Sequence, residues 1–549
     1  MPAAPGGIVR ITRIAGGALG LALGVTVLLG GCATPSASSA PGKVVTISGT
    51  EPTGALVPAN VTDPGGARVV SALYAGLVTY NSEGIAVDDA ARSIVANVDF
   101  TVYTVSLEPK HTFSNGEKVT AESFVRAWDW AADAANAAAD RSAFMSIKGY
   151  VNDDPNTPEV ERSSLIESGG LVVLNDSTFE VHLRASRSDF VSRLGTSAFF
   201  PLPSVFFDNP RAFGRNPIGN GPYKMAGAHA WEPGEQLSLA VNPSYSGPRT
   251  PRNGGLRFIF EASNDDAYSD LLGGYLDVVE TVPESARGTY LDELGERAIT
   301  QPVAALVSLS ISQRLEHFAG EEGRLRRGAI SHAINRGAIE AQQHSLESAA
   351  HDFTSPILPG YSPELKGADA LDYDARAARD LWAEANAISP WKGDFTIVVT
   401  SGFAGADQVV SQISRVLRIE VKTRVVATDA DLATATTDPE RPTAFLSERR
   451  VSYPDARAFL APFASSAASG APLQYGNPKI DRLLDEAAET SDTEELIGLY
   501  GSVQEQLLAD LPVIPLWYPT VHSGFGRDVG NVRVDWQGFP IYDQITAAG

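Results

Sequence analysis

NPIGNGPYKM, residues Asn216–Met225, is the stretch of this sequence that decides the fold. Its two prolines hold φ near one value, and Gly219 and Gly221 permit positive φ, so the backbone is predicted to turn sharply here. The run Leu237–Val241 then alternates apolar with small or polar side chains, which predicts a strand with one buried face. A tight turn followed by a strand describes a re-entry into a β-sheet and does not by itself indicate a function.

The same stretch carries a resemblance to a known family. Its P-x-G-x-G-P-Y-K pattern, Pro217–Lys224, precedes an N-P-x-Y pattern at Asn242–Tyr245. Together they resemble the central marker of the extracytoplasmic solute-binding proteins of ABC importers, in the oligopeptide- and dipeptide-binding group. Further strings resemble that group in Phe113–Trp128 and Leu325–Arg336, so the resemblance runs from about residue 44 to residue 542.

The resemblance implies an α/β, two-lobed, type II periplasmic-binding-protein-like (Venus flytrap) fold. It also implies an additional subdomain inserted in the first lobe. The predicted division is 44–77 with 201–303 and 512–549 for lobe I, 78–200 for the inserted subdomain, and 304–511 for lobe II. The chain is expected to cross between the lobes near Ala304 and Leu511.

Composition agrees with a soluble, multi-domain protein. The chain has 549 residues, of which 43% are hydrophobic and 20% are charged, and this length predicts two or three domains. The formal net charge of −23 argues against a nucleic-acid partner, because phosphate binding needs clustered lysines and arginines.

The first 43 residues have a different character. Arg10 and Arg13 precede the uncharged run Ile14–Leu29, and Cys32, the only cysteine, follows directly. A basic start, an apolar stretch and small residues predict a signal peptide over residues 1–31. The Leu-Gly-Gly-Cys string resembles a bacterial lipobox, which implies lipid attachment at Cys32 and favours this interpretation over a membrane-spanning helix. Residues 32–43 are predicted to be a flexible tether.

Motifs for enzyme chemistry are missing from the sequence. It contains no G-x-S-x-G elbow, no H-E-x-x-H and no Walker A loop. His344 and His351 lie seven residues apart with no cysteine nearby, so metal binding is only weakly indicated. The sequence therefore predicts no enzyme activity, no cofactor and no metal, with an exported hydrolase as the alternative.

One half of the ligand site is expected in the loop after the first strand. In the family this loop lies at the ligand cleft, so the resemblance implies that its backbone groups contact the ligand. The residues concerned are Thr62, Asp63, Pro64 and Gly65. The alternative is a plain surface loop that turns at Asp63–Gly65 and opens a helix at about Arg68.

The other half is expected in RRVSYPDARAFL, Arg449–Leu460, which resembles the family's W-x-A-D-Y-x-x-P-x-x-F-L segment. Peptide binders use the Asp of that segment for the ligand's α-ammonium group. Here Ser452 stands at that position and Arg449 at the Trp position, so recognition of a peptide amino terminus is in question. The candidate residues are Arg449, Arg450, Val451, Ser452, Tyr453 and Asp455.

Two interpretations of the arginines stay open. Arg449 and Arg450 either face the cleft and hold a carboxylate or another anion, or pair with Glu448 or Asp455 on a solvated loop. Asp455 is a possible substitute for the missing aspartate.

The function predicted from all of this is that of a lipid-anchored solute-binding component of an ABC transporter. It is expected to be monomeric and exported to the outer face of the bacterial cytoplasmic membrane. There it captures a peptide or similar small solute and delivers it to permease and ATPase subunits. A binding protein that serves a sensor is a further alternative.

Overall fold

The structure is a computed structural model that describes residues 42–151, 164–342, 348–358, 361, 364–438, 440–464 and 472–547. The predicted signal peptide, Cys32 and His344 lie outside these residues. The helices are α1 Pro64–Leu73, α2 Ala121–Ala132, α3 Phe190–Arg193, α4 Pro210–Phe213, α5 Asn264–Gly273, α6 Tyr290–Leu294, α7 Gly320–Ala333, α8 Arg336–Gln342, α9 Ala375–Ile388, α10 Ala406–Leu417, α11 Asp429–Thr437, α12 Ala456–Leu460, α13 Pro478–Ala488 and α14 Thr493–Asp510.

The strands lie between these helices, many of them in consecutive runs. They are β1 Val45–Ser48, β2 Val78–Tyr80, β3 Ala86–Asp88, β4 Ala91–Ala96, β5 Val102–Leu107, β6 Leu171–Asn175, β7 Thr178–His182, β8 Tyr223–Met225, β9 Trp231–Glu232, β10 Gln236–Val241, β11 Gly255–Ile259, β12 Val278–Val279, β13 Ala298–Pro302, β14 Ala305–Ile311, β15 Ser348–Ala349, β16 Phe395–Thr400, β17 Val421–Val426, β18 Ala444–Arg450, β19 Val513–Tyr518, β20 Thr520–Phe525, β21 Val529–Gly530 and β22 Thr546–Ala547.

The first lobe is built on a mixed sheet in the order β13-β20-β12-β1-β11-β10-β8, with β9 paired to β10. Strand β1 runs parallel to both of its neighbours, β11 and β12. Leu237 and Leu239 of β10 are buried, as the alternation in the sequence predicts. A four-stranded antiparallel sheet, β4-β5-β7-β6, shares the hydrophobic core of this lobe, in which Trp128 of α2 is fully buried.

The second lobe is built on a six-stranded sheet in the order β15-β19-β14-β18-β16-β17. One face of this sheet packs on α7, α9 and α10, and its other face looks towards α12 and α14. The two largest sheets of the described residues thus each lie in one lobe with helices around them, in a mixed α/β architecture.

The chain crosses between the two sheets twice. It passes from β13 to β14 at Val303–Ala304 and returns from β19 to β20 at Pro519. The return lies after Tyr518 rather than near Leu511, because β19 pairs with β14 and belongs to the second sheet. Every residue of β19 is buried, so its apolar pattern fits either sheet equally well and does not reveal the partner strand.

The glycines of the Asn216–Met225 stretch serve close packing rather than positive φ, and in this respect the prediction was wrong. A Cβ on Gly219 would lie 1.9 Å from the carbonyl oxygen of Leu73, and one on Gly221 would lie 2.6 Å from the backbone of Tyr74. The amide of Gly221 donates to the Leu73 carbonyl at 2.8 Å. At these two glycines the stretch therefore lies directly against the carboxyl end of α1, and a side chain at either position would have no room.

Candidate functional site

A cavity of about 370 Å³ lies where the two lobes meet. Thr62, Tyr80 and Asp140 line it from the first-lobe side, and Ser452 lines it from the second lobe. Asp535 and Trp536 close another side from the hairpin at Val534–Pro540. We call this space the interlobe cavity.

The loop before α1 contributes one wall of the interlobe cavity. Thr62 is exposed to it, whereas Asp63 is the N-cap of α1 and accepts a hydrogen bond from the Gly66 amide at 2.8 Å. Pro64 is the first helical residue, so α1 begins four residues earlier than predicted. A Cβ on Gly65 would meet the Thr50 carbonyl at 2.2 Å, which places this glycine under the loop that follows β1. Of the four predicted residues, the structure places Thr62 at the cavity.

In the second-lobe segment after β18, one residue lines the interlobe cavity and the others are buried or cap a helix. Ser452 is exposed and lines the interlobe cavity. Val451 is buried in the second-lobe core, and Tyr453 is buried at the contact between the lobes. Asp455 caps α12 by accepting the Arg457 amide at 2.8 Å.

A buried charge cluster joins the lobes beside this segment. The Tyr453 hydroxyl donates to Oδ2 of Asp189 at 3.1 Å, and Arg457 Nε lies 3.9 Å from Oδ1 of the same carboxylate. Asp189 precedes α3, whose Phe190 belongs to the first-lobe core. Burial raises the pKa of Asp189, but Arg187, Arg457 and Arg193 outweigh it and hold that pKa below its usual value. Asp189 is therefore an anion held between cations of both lobes.

The same cluster disturbs the titration of Asp455. Burial and the nearby Asp189 carboxylate raise the pKa of Asp455 to about 6. The carboxyl group is committed to the α12 cap and to this cluster. It is placed among the contacts between the lobes rather than along the wall of the interlobe cavity.

The two arginines at the end of β18 differ. Arg450 is exposed; its Nε lies 2.5 Å from Glu448, and its Nη1 donates to the Gln537 carbonyl at 3.3 Å. Arg449 is only partly exposed, and its Nη2 donates to the Ala458 carbonyl at 2.9 Å. No carboxylate in the described ranges lies within ion-pair distance of Arg449. Pairing with Glu448 thus fits Arg450 and does not fit Arg449, and both residues lie on β18 rather than on a loop.

Arg449 lines a second cavity, of about 440 Å³, on the face of the second-lobe sheet that looks towards α12. We call it the second-lobe cavity. Its floor is formed by β14 and β18, and its walls carry the aromatic rings of Phe353, Phe459 and Phe463. Burial lowers the pKa of the Arg449 guanidinium to about 10, which still leaves it charged at neutral pH.

Several residues at the interlobe cavity were not predicted from the sequence. Trp536 packs edge-on to Tyr80, with 5.6 Å between the ring centroids, and its carbonyl accepts the Ala304 amide at 2.8 Å. Asp535 accepts amide hydrogens within its own turn, and burial raises its pKa to about 6. The turn composition of Asp535–Gly538 was visible in the sequence, but nothing there indicated that this hairpin lies beside the first crossover.

Two negative findings apply to the described parts of the chain. No group of three or more His, Cys, Asp or Glu side chains there is arranged to hold a metal ion. No helix among those residues has the length and apolar character that a membrane span needs.

Comparison with known families gives a match over most of the chain. The model of "Bacterial extracellular solute-binding proteins, family 5 Middle" matches residues 86–471. Among curated proteins, the dipeptide-binding protein DppE of Bacillus subtilis is 23% identical over 450 residues, which cover 79% of each chain.

Solved structures agree with the chain over nearly its whole length. The Escherichia coli murein tripeptide binding protein MppA superposes with a TM-score of 0.72 at 19% identity, covering 93% of this chain and 99% of that one. Haemophilus influenzae OppA in complex with RPPGFSPFR gives 0.69 at 20% identity, with 92% and 99% covered. The fold is thereby that of a type II periplasmic binding protein, as the sequence predicts.

Proposed function

Because this chain belongs to the family 5 bacterial extracellular solute-binding proteins, we propose that it captures a peptide or a similar small solute in the interlobe cavity. The chain is a binding protein rather than an enzyme, since its homologues are binding proteins of ABC transporters. The observation that carries the proposal is a cavity at the junction of the lobes, with Thr62 on one wall and Ser452 on the other. A cavity of this size lies within the range of small-molecule sites.

The chemistry of the cavity suits a polar solute with an apolar part. Tyr80 and Trp536 offer ring surface, and the Thr62 and Ser452 hydroxyls offer hydrogen-bonding groups. Ser452 has no charge for an ammonium group, so the α-amine of a peptide gains no ion pair there. Asp140 lines the same space, and burial raises its pKa, so a cationic group beside it would stabilise its ionised form.

We also propose the remaining steps of the transport cycle. The chain is tethered through a lipid on Cys32 and is presented to a permease with a separate ATPase on the outer face of the cytoplasmic membrane. Solute favours the closed arrangement of the lobes because it contacts both of them at once. The lobes are taken to be residues 44–303 with the carboxyl-terminal strands, and residues 304–518, with 78–200 as the inserted subdomain.

One experiment tests solute capture directly. The purified mature chain is denatured, the released small molecules are identified by mass spectrometry, and the solute found is titrated back by calorimetry. Ser452→Trp should weaken its binding by about a hundredfold or more, because the indole fills one wall of the cavity. Ser411→Trp, on an exposed position of α10 away from the cavity, is the matched control.

Two results would contradict these proposals. If the two tryptophan variants bind the solute equally well, the interlobe cavity is not the site. If a substrate is consumed by the purified chain, the assignment as a binding protein fails.

A separate experiment tests the anchor. Cys32→Ser should move the protein from the membrane fraction to the soluble fraction and abolish incorporation of a labelled fatty acid. Unchanged membrane association of that variant would contradict lipid attachment at Cys32.

A further inference from the structure

The floor of the second-lobe cavity is set by strand register. Strands β14 and β18 are antiparallel, with Leu306 opposite Arg449, Ser308 opposite Ser447 and Ser310 opposite Phe445. Because side chains alternate between the faces of a strand, all six point to the same side of the sheet. All six line the cavity. One cation and three hydroxyl groups are thus aligned along two neighbouring strands.

The three hydroxyl groups lack protein partners. The hydroxyls of Ser308, Ser310 and Ser447 make no hydrogen bond to the described part of the chain, although Ser308 and Ser310 are only 7% and 5% exposed. Their oxygen atoms are not among the buried unpaired atoms of the described residues, so they are accessible from the cavity. Their free hydrogen-bonding capacity is directed into the cavity, where a bound molecule can use it.

The charge balance of the cavity is positive. Glu448 and Arg450 stand at the rim and neutralise each other through their 2.5 Å contact. Arg449 is left as the surplus charge, with one of its donors on the Ala458 carbonyl and no carboxylate among the described residues paired with it. A half-buried cation is costly without a counter-charge, and a planar guanidinium matches a carboxylate through two parallel hydrogen bonds.

The walls of the second-lobe cavity indicate which chemical group lies next to the anionic group of a ligand. Phe353, Phe459 and Phe463 contribute aromatic surface, and Pro462 and Val513 extend the apolar lining. An apolar wall facing a cationic, hydroxyl-bearing floor fits a molecule that carries a carboxylate beside an aliphatic or aromatic group.

We propose that the second-lobe cavity binds the carboxylate of such an amphiphilic acid, with Arg449 as the anion-binding residue. The acid is either the acidic, apolar portion of the transported solute or a separate small carboxylic acid. The first case rests on the proposed function and defines its substrate class: peptides or solutes with a carboxylate next to an apolar group. The interlobe cavity and this one flank the same short segment, since Arg449 lines one and Ser452 the other.

The test uses 3-phenylpropionate as the probe and its uncharged amide, 3-phenylpropionamide, as the matched ligand. Binding to the full mature chain is followed by ligand-observed NMR and by calorimetry. We expect the carboxylate to bind the unmodified protein and to bind Arg449→Met at least about tenfold more weakly. We expect the amide to bind both proteins with the same lower affinity, which shows that the cavity is intact in the variant.

Two further variants separate charge from geometry. Arg449→Lys keeps the charge but loses the fork of two donors, so an intermediate affinity for 3-phenylpropionate is expected. Arg424→Met removes an exposed charge from β17 of the same sheet, outside the cavity, and should leave the affinity unchanged.

Two results would overturn the inference. One is equal affinity of 3-phenylpropionate for the unmodified protein and for Arg449→Met. The other is no binding of this acid to the unmodified protein at millimolar concentration. The proposed function is judged separately, because it depends on capture of the co-purified solute and on Ser452→Trp, neither of which uses the probe.

Discussion

At the scale of single residues, neighbouring side chains in one segment take different roles. Ser452 is open to the interlobe cavity, Tyr453 contacts Asp189 in the other lobe, and Asp455 caps a helix. Arg449 and Arg450 are adjacent in sequence, yet only Arg450 is paired with an acid in the described chain. The resemblance that placed all of them at a ligand site carries no information on which way each one points.

Asp455 leads to a pH prediction. Its folded-state pKa of about 6 exceeds the value of ~3.9 expected in an unfolded chain. The folded state therefore binds the proton more tightly, and the stability that this provides is present at low pH and lost as pH rises through about 6. Asp455→Asn keeps a side-chain oxygen that can cap the helix, and its amide group is uncharged at every pH. We expect it to match the unmodified protein near pH 4 and to exceed it by up to about 3 kcal/mol at pH 8, measured by urea unfolding.

Asp374→Asn is a control for which the change of stability with pH should have the opposite sign. Asp374 caps α9 and accepts the Ala377 and Arg376 amides, which lower its pKa. Its stabilisation is present at neutral pH and lost as pH falls, so this variant should be the less stable one at pH 8. The same pH trend in both variants would contradict the assigned shift of Asp455.

At the scale of elements, the side chain of Asn220 holds the Asn216–Met225 stretch to the backbone just after α1. The Asn220 amide group accepts from the Ala75 N–H at 3.0 Å and donates to the Ala75 carbonyl at 2.9 Å, fully buried. With Gly219 and Gly221 on either side, the chain can approach the end of α1 closely enough for these bonds to form. This contact positions β8 at the edge of the first-lobe sheet.

Gly219→Ala tests that contact. The new methyl group would lie 1.9 Å from the Leu73 carbonyl, which is backbone and cannot rotate away. We expect a loss of about 3 kcal/mol or more in the free energy of unfolding. Gly498→Ala, at an exposed position inside α14 with nothing within 4 Å, should instead gain about 0.5–1 kcal/mol. Similar melting temperatures for Gly219→Ala and the unmodified protein would refute the packing argument.

At the scale of the whole molecule, the lobes are joined by two crossovers and by contacts across the junction. Ser188 donates through its amide and its hydroxyl to the Ala488 and Ala487 carbonyls at 3.0 and 2.8 Å, close to the Asp189 cluster. In the proposed transport cycle the lobes open and close, and these contacts would then favour the closed arrangement before solute binds.

Tyr453→Phe tests this coupling, with Tyr245→Phe as its match. Each variant removes a hydroxyl that donates to an arginine-paired aspartate, but the Tyr245–Asp89 bond of 2.8 Å lies within the first lobe. Both should lose about 1.5–3 kcal/mol of stability. Only Tyr453→Phe should increase the radius of gyration in X-ray scattering, because its bond spans the lobes. An unchanged radius would mean that this bond does not hold them together.

The sequence by itself indicated the family, the α/β type II binding-protein fold and the buried face of the strand at Leu237–Val241. These follow from local causes: the alternation in Leu237–Val241 and a marker segment whose glycines leave no alternative residue. Each depends on residues close together in the chain, so a linear pattern records it.

Only the tertiary structure decided where the second crossover lies, which of two adjacent arginines is unpaired, and that Trp536 meets Tyr80 at the interlobe cavity. Strand pairing and the Tyr80–Trp536 contact join residues more than a hundred positions apart, and the direction of each arginine is set by the folded backbone around it. The sequence of a fully buried apolar strand is compatible with either sheet. The hydrogen bonds that pair it with one of them form only when the chain folds.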